Sequence, residues 1–352
     1  MSKTTFKLGE LFCVAGGLAY GAFNATSDDG RYSIVHAWAN DIDSDACATY
    51  RKNVRDSSSV YCKDVRELDL SSLGAIDAFA YGFPCNSFST VGKRRGLDND
   101  KFGRLYTYGV EVLKISRPKW FLAENVSGLT SVGNGSHFQI ILDDLASAGY
   151  ELVTHMYKFE EYGVPQTRHR IIIVGVRDDI AARGVKFRVP APSCKRVVSA
   201  SEALKDIPEN AANNERRRIS DKVRRRLSYI QPGQNVWQVN DLPPDLEIKT
   251  KTKISLMYRK LDPTKPSYTV TAAGGGGTVM YHWSDEQREL TNRERARLQT
   301  FPDDFEFIGD YSSVRKQIGM AVPPKGAEII FRAILNTFAG IEYPCVEAKW
   351  KS

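Results

Sequence analysis

Residues 81–89 read YGFPCNSFS, and the interpretation of the whole chain starts from them. They complete the apolar run at 75–81 (AIDAFAY), which is typical of a buried strand in a parallel sheet. Pro84 fixes its own backbone angle and favours an extended Phe83, so Cys85 would stand on a stiff support just past a strand's carboxyl end. Open α/β sheets place their ligand crevices at that edge. A cysteine taken alone is more often a small buried hydrophobe, so the role of Cys85 depends on the rest of the chain.

The chain has 352 residues, which is long enough for one large domain and a smaller one. No apolar run reaches the length of a membrane span, and the first residues lack the apolar core of a signal peptide. We therefore expect a soluble, cytoplasmic protein that does not contact membranes. Six scattered cysteines include no Cys-x-x-Cys pair, so the sequence predicts neither a metal site nor a disulfide framework.

The net charge of +7 is concentrated in one segment. Residues 178–285 hold 19 lysines and arginines against 12 acidic residues, whereas the remainder holds 30 of each. A basic segment attached to a neutral one favours a polyanionic partner, with an ordinary solvated surface as the alternative. Arg224, Arg225 and Arg226 lie on a predicted helix of this segment, which Ser220 can cap.

Strand and helix patterns alternate up to about residue 177, which predicts an α/β fold with a doubly wound, mainly parallel, Rossmann-like sheet. A glycine turn at Gly16 and Gly17 follows the first strand and brings backbone N–H groups close to a ligand. Asp41 ends the second strand, where a carboxylate can bind ribose hydroxyls. We predict three parts: residues 1–177 as the catalytic domain, residues 178–285 as a smaller basic domain, and residues 286–352 returning to the first.

Three further residues form a chemical set with Cys85. Glu124 ends the next buried strand, and Arg168 and Arg170 follow in a loop. Carbon 5 of cytosine is too weak a nucleophile to accept a methyl group until a thiolate adds to carbon 6. Cys85 could make that addition, while Glu124 supplies a proton or strong hydrogen bond at ring N3 and the arginines bind the O2 edge. Alternatively, Glu124 could cap the next element and the arginines could lie in a solvated loop. Together with a structural role for Cys85, this alternative requires three coincidences in the right order along the chain.

With these residues in place, the chain resembles the cytosine-C5 DNA methyltransferases of bacterial restriction-modification systems. The likeness covers nearly all of the chain except the basic segment, which in this family is the variable target-recognition domain. The motifs that carry it are the Phe12 loop, Gly82 to Cys85 (GFPC), Glu124 to Val126 (ENV), Gln166 to Arg170 (QTRHR), Leu290 to Pro302 (LTNRERARLQTFP) and Gln317 to Pro324 (QIGMAVPP).

The resemblance implies S-adenosyl-L-methionine as the methyl donor. Phe12 and Ile42 would then contact the adenine, Asp41 the ribose and Asp64 the adenine amino group. The residues expected around the cofactor are Phe12, Ala15, Gly16, Gly17, Asp41, Ile42, Asp64, Val65, Pro84, Leu105, Met320 and Ala321.

The resemblance also implies duplex DNA with one cytosine flipped out of the stack, because ring carbons inside a stack are shielded from attack. The loop at 87–103 would close over the extruded base. We further expect a monomer, and a cognate restriction endonuclease that acts on the same site. The residues expected at the DNA are Ser89, Lys93, Arg94, Arg95, Arg224, Arg225, Arg226, Thr269, Gly275 and Gly276.

Three residues depart from the usual family pattern. Val14 replaces a glycine of the first turn, Asn86 replaces a glutamine after the cysteine, and Met320 replaces an asparagine in the late motif. Two other functions stay open: methylation of transfer RNA, as in a few family members, and a catalytically silent DNA-binding module. A basic module that can span a groove favours duplex DNA, and the intact chemical set favours an enzyme.

Overall fold

An eight-stranded sheet forms the centre of the structure, a computed structural model that describes residues 3–54, 59–84, 104–250 and 252–351. Two short two-stranded sheets accompany it in the described ranges. The strands are β1 (Thr4–Leu11), β2 (Tyr32–Asp41), β3 (Val60–Cys62), β4 (Ala78–Gly82), β5 (Trp120–Val126), β6 (Tyr150–Lys158), β7 (Gln166–Thr167), β8 (His169–Arg177), β9 (Val189–Pro190), β10 (Ser267–Tyr268), β11 (Cys345–Val346) and β12 (Trp350–Lys351).

The strand order across the large sheet is β12-β6-β8-β5-β4-β1-β2-β3. β1 pairs in parallel with β2 and β4. β4 also pairs in parallel with β5, and β2 with β3. β8 is antiparallel to both β5 and β6, because a short connection rather than a crossover helix joins β6 to β8. The predicted doubly wound, mainly parallel sheet is confirmed, with an antiparallel edge.

Helices cover both faces of this sheet. The helices are α1 (Gly17–Asn24), α2 (Ser44–Asn53), α3 (Tyr106–Ser116), α4 (Ser136–Ser147), α5 (Asp178–Ala181), α6 (Ala200–Ala203), α7 (Asp221–Ser228), α8 (Asn292–Leu298), α9 (Tyr311–Met320) and α10 (Pro324–Ala339). α1 and α10 bury their apolar faces on one side, and α3 and α4 on the other. None of the described helices is long and apolar enough to cross a membrane.

The central strands are apolar throughout because both of their faces are covered. In β4, Ala78 and Ala80 point into one core, whereas Phe79 and Tyr81 point into the other. This alternation follows from the two-residue period of a strand. A buried strand of this kind ends at Gly82, so the carboxyl edge of the sheet begins there.

The basic segment has a small core of its own, formed around α7 by residues between 219 and 281. Ser220 caps α7, since its hydroxyl accepts a hydrogen bond from the Val223 amide over 3.3 Å. The first core, however, extends past the predicted boundary at residue 177. Phe187 and Val189 belong to it, because β9 pairs with β11 near the C-terminus.

We predict that Gly17→Ala destabilises the protein. A Cβ atom at Gly17 would lie 2.3 Å from the backbone oxygen of Val322, so the start of α1 would have to move. Overpacking of this kind costs about 1–3 kcal/mol in the free energy of unfolding. Gly74→Ala is the matched control, because no atom lies within 4 Å of the added carbon. Denaturant unfolding should show a change within about 0.5 kcal/mol for the control, and equal stability of the two variants would contradict the prediction.

Candidate active site

The ends of β4 and β5 meet at the edge where the nucleophile is predicted. Gly82 is the register partner of Glu124, and a Cβ atom on Gly82 would lie 3.2 Å from Glu124 Oε2. Glycine therefore leaves room for that carboxylate. Asn125 Nδ2 donates to the carbonyl oxygen of Phe83 over 3.1 Å, which fixes the backbone two residues before Cys85. Cys85 itself lies outside the described residues.

Glu124 forms an ion pair with Arg170, whose Nε lies 2.8 Å from Glu124 Oε1. Both side chains are largely buried, with 12% and 13% of their surfaces exposed. Arg170 stands at the start of β8 as the register partner of Val126, so antiparallel pairing brings it to the edge where β5 ends. The pair can present a carboxyl group and a guanidinium group to adjacent atoms of one planar ring.

Arg168 is engaged elsewhere, and the expectation that both arginines bind the base is corrected. Its side chain is 1% exposed, and its guanidinium donates to the carbonyl oxygens of Val270, Gly319 and Ala321 over 2.9 to 3.1 Å. Two residues in one strand would share a face, but Arg168 lies between β7 and β8. The interruption sends the two side chains to different surroundings, and Arg170 alone faces Glu124.

Two buried glutamines, Gln166 and Gln299, connect the same parts of the chain as Arg168 does. Gln166 Nε2 donates to Gln299 Oε1 over 2.8 Å, and Gln166 Oε1 accepts from the Val270 amide over 2.7 Å. Gln299 Nε2 donates in turn to the carbonyl oxygen of Ile318 over 2.6 Å. These bonds tie β7 to the end of α8, to the end of α9 and to the residues after β10. The late motifs are therefore held on the catalytic sheet by buried polar groups.

A small cleft that Glu124 helps to line brings together several residues expected around the cofactor. Met320, which lines the cleft, is 48% exposed, whereas Ile42, which does not line it, is 67% exposed. The cleft is lined by Glu10, Phe12, Cys13, Val14, Gly17, Leu18, Gly82, Glu124, Met320, Ala321 and Val322.

The turn after β1 takes unusual backbone angles. Phe12 and Val14 have φ of +56° and +48°, a region that branched residues rarely adopt. Asp41 holds the turn, since its carboxylate accepts from the Val14 amide over 2.8 Å and from the Asp43 amide over 2.9 Å. Burial raises the pKa of Asp41, and these amide bonds oppose the shift. Val14 is thus accommodated by strain in the turn where the family usually has glycine.

The other residues expected around the cofactor are not among those that line the cleft; they are Ala15, Gly16, Asp41, Ile42, Asp64, Val65, Pro84 and Leu105. Asp64 caps a short helical turn and its carboxylate pairs with Arg66. Gly16 has φ of +86° and begins α1. Ala15 and Val65 are buried in the cores, and Pro84 and Leu105 are half-buried.

Glu10 is a site residue that the sequence prediction missed. It lines the cleft, yet only 2% of its surface is exposed, and burial raises the pKa of its carboxyl well above the usual value. Tyr50 Oη donates to it over 3.3 Å and also lies 3.3 Å from His36 Nδ1. The available signal was an acidic residue between Gly9 and Leu11, next to the end of the first predicted strand.

The expected DNA-binding arginines on α7 differ from one another. Arg226 is buried, donates from Nε to the carbonyl oxygen of Leu246 over 2.7 Å and stacks on Tyr258, so its assignment to DNA is corrected. Arg225 is exposed and pairs with Asp245, whereas Arg224 is exposed. A helix buries one stripe of side chains, and Arg226 lies on that stripe.

Other expected DNA contacts lie where the two parts of the chain meet, or outside the described residues. Thr269 Oγ1 donates to the carbonyl oxygen of Thr167 over 2.6 Å, and Gly275 and Gly276 are exposed with open space around them. Ser89, Lys93, Arg94 and Arg95 fall outside the described ranges.

We predict that Arg168→Met lowers the free energy of unfolding by about 3 kcal/mol. Methionine keeps an unbranched side chain but removes the guanidinium group, which leaves the buried carbonyl oxygens of Val270 and Gly319 without this donor, at about 1–3 kcal/mol for an unpaired group. The Ala321 oxygen keeps a hydrogen bond from Gln299 Nε2. Arg183→Met is the control, because 77% of that side chain is exposed. Thermal and denaturant unfolding should leave the control within about 0.5 kcal/mol of the unmodified protein. A stable Arg168→Met variant would show that the buried bonds are dispensable.

Comparison with known proteins agrees with this geometry. The chain matches the C-5 cytosine-specific DNA methylase family over residues 6–336. It is 55% identical to the Type II methyltransferase M.BbvI of Brevibacillus brevis, over 98% of this chain and 95% of that one. It is 40% identical to the Type II methyltransferase M.NgoFVII of Neisseria gonorrhoeae, over 95% and 87%. The S. pombe Dnmt2 methyltransferase shares the fold at 16% identity, with a TM-score of 0.60 over 96% of this chain and 100% of that one. The chain therefore belongs to the C-5 cytosine-specific DNA methylases, as an enzyme of the Type II restriction-modification kind.

Proposed function

We propose that the chain methylates C5 of a cytosine flipped out of a specific duplex DNA sequence, through a covalent adduct between Cys85 and C6 of the ring. The observation that carries this proposal is the Glu124–Arg170 pair, held at the end of β5 next to the backbone that leads into Cys85. A thiol, a carboxyl and a guanidinium group then face one pyrimidine.

Each of the three groups has a task that the chemistry requires. The Cys85 thiolate adds to C6, which makes C5 nucleophilic. Glu124 hydrogen-bonds or protonates ring N3, so that the electrons of the addition are not left as a localised negative charge. Arg170 donates to O2 and orients the ring. Because Glu124 and Arg170 pair with each other beforehand, both groups are already aligned when the base enters.

The residues around the cleft fit S-adenosyl-L-methionine, which members of this family use and which supplies an electrophilic methyl group when bound. Phe12 and Met320, which line the cleft, would provide apolar walls, and the exposed Ile42 would add a third apolar contact. Asp41 and Asp64 end β2 and follow β3, where they would accept hydrogen bonds from the ribose and the adenine amino group. A Cβ atom on Gly17 would clash with Val322, so the turn and the α9–α10 connection close tightly around this space.

The basic segment is proposed to recognise the target sequence. It has a separate core, and α7 exposes Lys222 and Arg224 on its outer surface. Thr269 and the open glycines that follow lie where the segment rejoins the sheet, a place suited to the DNA backbone between the two parts. We expect a monomer that protects the site of a cognate restriction endonuclease.

Substrate class is tested by incubating the protein and labelled donor with duplex DNA and with transfer RNA. Methyl transfer to the duplex alone supports the proposal, whereas transfer to RNA alone would favour the other substrate class. Sequencing of methylated cytosines in DNA from cells that express the protein would then give the recognition sequence.

Cys85→Ser should abolish methylation while DNA binding remains, because a hydroxyl group is far less nucleophilic than a thiolate at neutral pH. A duplex with 5-fluorocytosine at the target should trap the unmodified protein covalently, and peptide mapping should locate the bond at Cys85. Cys345→Ser, at an exposed cysteine in β11, is the control and should behave as the unmodified protein. Normal turnover by Cys85→Ser would rule out the adduct.

Replacing both Lys222 and Arg224 by alanine should weaken DNA binding and lower the slope of log K against log salt by about one unit per lost phosphate contact. Both side chains are exposed on α7. The matched control replaces Arg183 and Lys186 by alanine. These substitutions remove the same charge from the part of the segment that packs on the first core. Binding measured from low to moderate salt should give the control an unchanged slope. An unchanged slope for the α7 variant would mean that this helix faces away from DNA.

A further inference from the structure

Two cysteines lie next to Asp41 in the proposed adenosine subsite, and the methylation chemistry does not use them. Cys47 is in α2 and is fully buried, whereas Cys62 ends β3 and is exposed. Both are free thiols, and the neighbouring Cys62 thiol adds to the effect of burial in raising the pKa of Cys47. Because Cys62 is exposed, an oxidant in solution can reach it, and the buried Cys47 beside it can then complete a disulfide.

Asp41 is the residue that both cysteines approach. Cys62 is the register partner of Asp41 across the parallel strands β3 and β2. Cys47 Sγ donates to the carbonyl oxygen of Asp41 over 3.5 Å, and the Lys63 amide donates to that oxygen over 3.0 Å. A single carbonyl group thus holds Cys47 next to the strand end that carries Cys62.

We propose that Cys47 and Cys62 form an oxidisable thiol pair, and that the disulfide between them weakens binding of the methyl donor. The second half rests on the proposed function, since it takes the donor to bind at Asp41, Ile42 and Asp64. The pair lies between these residues: Cys47 touches the Asp41 carbonyl group, and Cys62 precedes Asp64 by two positions.

The oxidation balances with peroxide as the oxidant. Peroxide oxidises the exposed Cys62 thiol to a sulfenic acid and releases one water. The Cys47 sulfur then attacks the sulfenic sulfur, the S–S bond forms, and the hydroxyl group leaves with the Cys47 proton as a second water. The two thiols lose two electrons and two protons, and the peroxide becomes two waters. Burial raises the pKa of Cys47 to about 12, which makes Cys62 the thiol that meets the oxidant first.

Closing the bond has a geometric consequence for the subsite. The two sulfur atoms must approach to about 2.05 Å to form the bond, so α2, the end of β3 or both have to shift. Asp41 also loses the hydrogen bond from Cys47. Because the Asp41 carboxylate accepts the Val14 amide, a displacement of the Asp41 backbone would also move Val14, which lines the cleft. The expected result is donor binding about tenfold weaker, restored by a thiol reductant.

The test is calorimetric titration of S-adenosyl-L-methionine, without DNA, into the full chain before and after one equivalent of hydrogen peroxide, and again after dithiothreitol. Peptide mapping without reductant should show a Cys47–Cys62 linkage and a loss of about 2 Da. Cys62→Ser should bind the donor normally before and after peroxide. Cys345→Ser, which removes another exposed thiol, should lose affinity on oxidation as the unmodified chain does.

Several outcomes would overturn the proposal. These are the absence of the mapped linkage, a linkage of Cys47 to Cys13 instead, or a linked protein that binds the donor unchanged. An equal loss of affinity in oxidised Cys62→Ser would assign the effect to other thiols. Repeating the titration in a Cys85→Ser background separates the effect from oxidation of the nucleophile. If the reduced protein failed to bind the donor, the proposed function would be contradicted, while mapping would still decide whether the pair closes.

Discussion

The buried guanidinium group of Arg168 is the constraint on which the arrangement of the site depends. A charge taken out of water is costly unless its donors are satisfied, and here carbonyl oxygens from three positions of the chain accept them. Those carbonyls belong to Val270, after the basic segment, and to Gly319 and Ala321, at the end of α9. The Arg168 side chain therefore holds the residues that follow the basic segment, and the end of α9, against the catalytic sheet. Arg170, two residues further on, is positioned by the antiparallel pairing of β8 with β5.

The proposed chemistry is shared between the sheet edge and the returning C-terminal part. Glu124 and Gly82 come from β5 and β4, whereas Met320 and Ala321 come from the end of α9, and all four line one cleft. Neither part would form the cleft alone. The Glu124–Arg170 pair also shows how a largely buried acid and base are tolerated before substrate enters, since each neutralises the other in a region of reduced water access.

The basic residues of this protein serve two different purposes. Arg226, Arg293 and Arg295 are buried and bind carbonyl oxygens, polar side chains or aromatic rings within the protein. Lys222 and Arg224 stay exposed. Arginine suits the buried role because its planar group offers five donors in fixed directions and is weakly hydrated. Within the 178–285 segment, the buried Arg226 shows that net charge alone overstates how many arginines face the solvent.

The sequence by itself determined the alternation of strands and helices, because apolar runs such as β4 and β8 must be covered on both faces. It also predicted Glu124 at the end of a buried strand, and this strand pairs in parallel with β4, so that Glu124 lies opposite Gly82. Cys85 lies outside the described residues, and its place stays a prediction. The tertiary structure alone decided that Arg168 is an anchor while Arg170 faces Glu124, that Arg226 is buried, and that the first core continues to β9. The spacing of apolar residues along the chain does not predict these contacts. The carbonyl groups that accept from Arg168 lie 102 to 153 positions away along the chain, and only the folded chain brings them within hydrogen-bond distance.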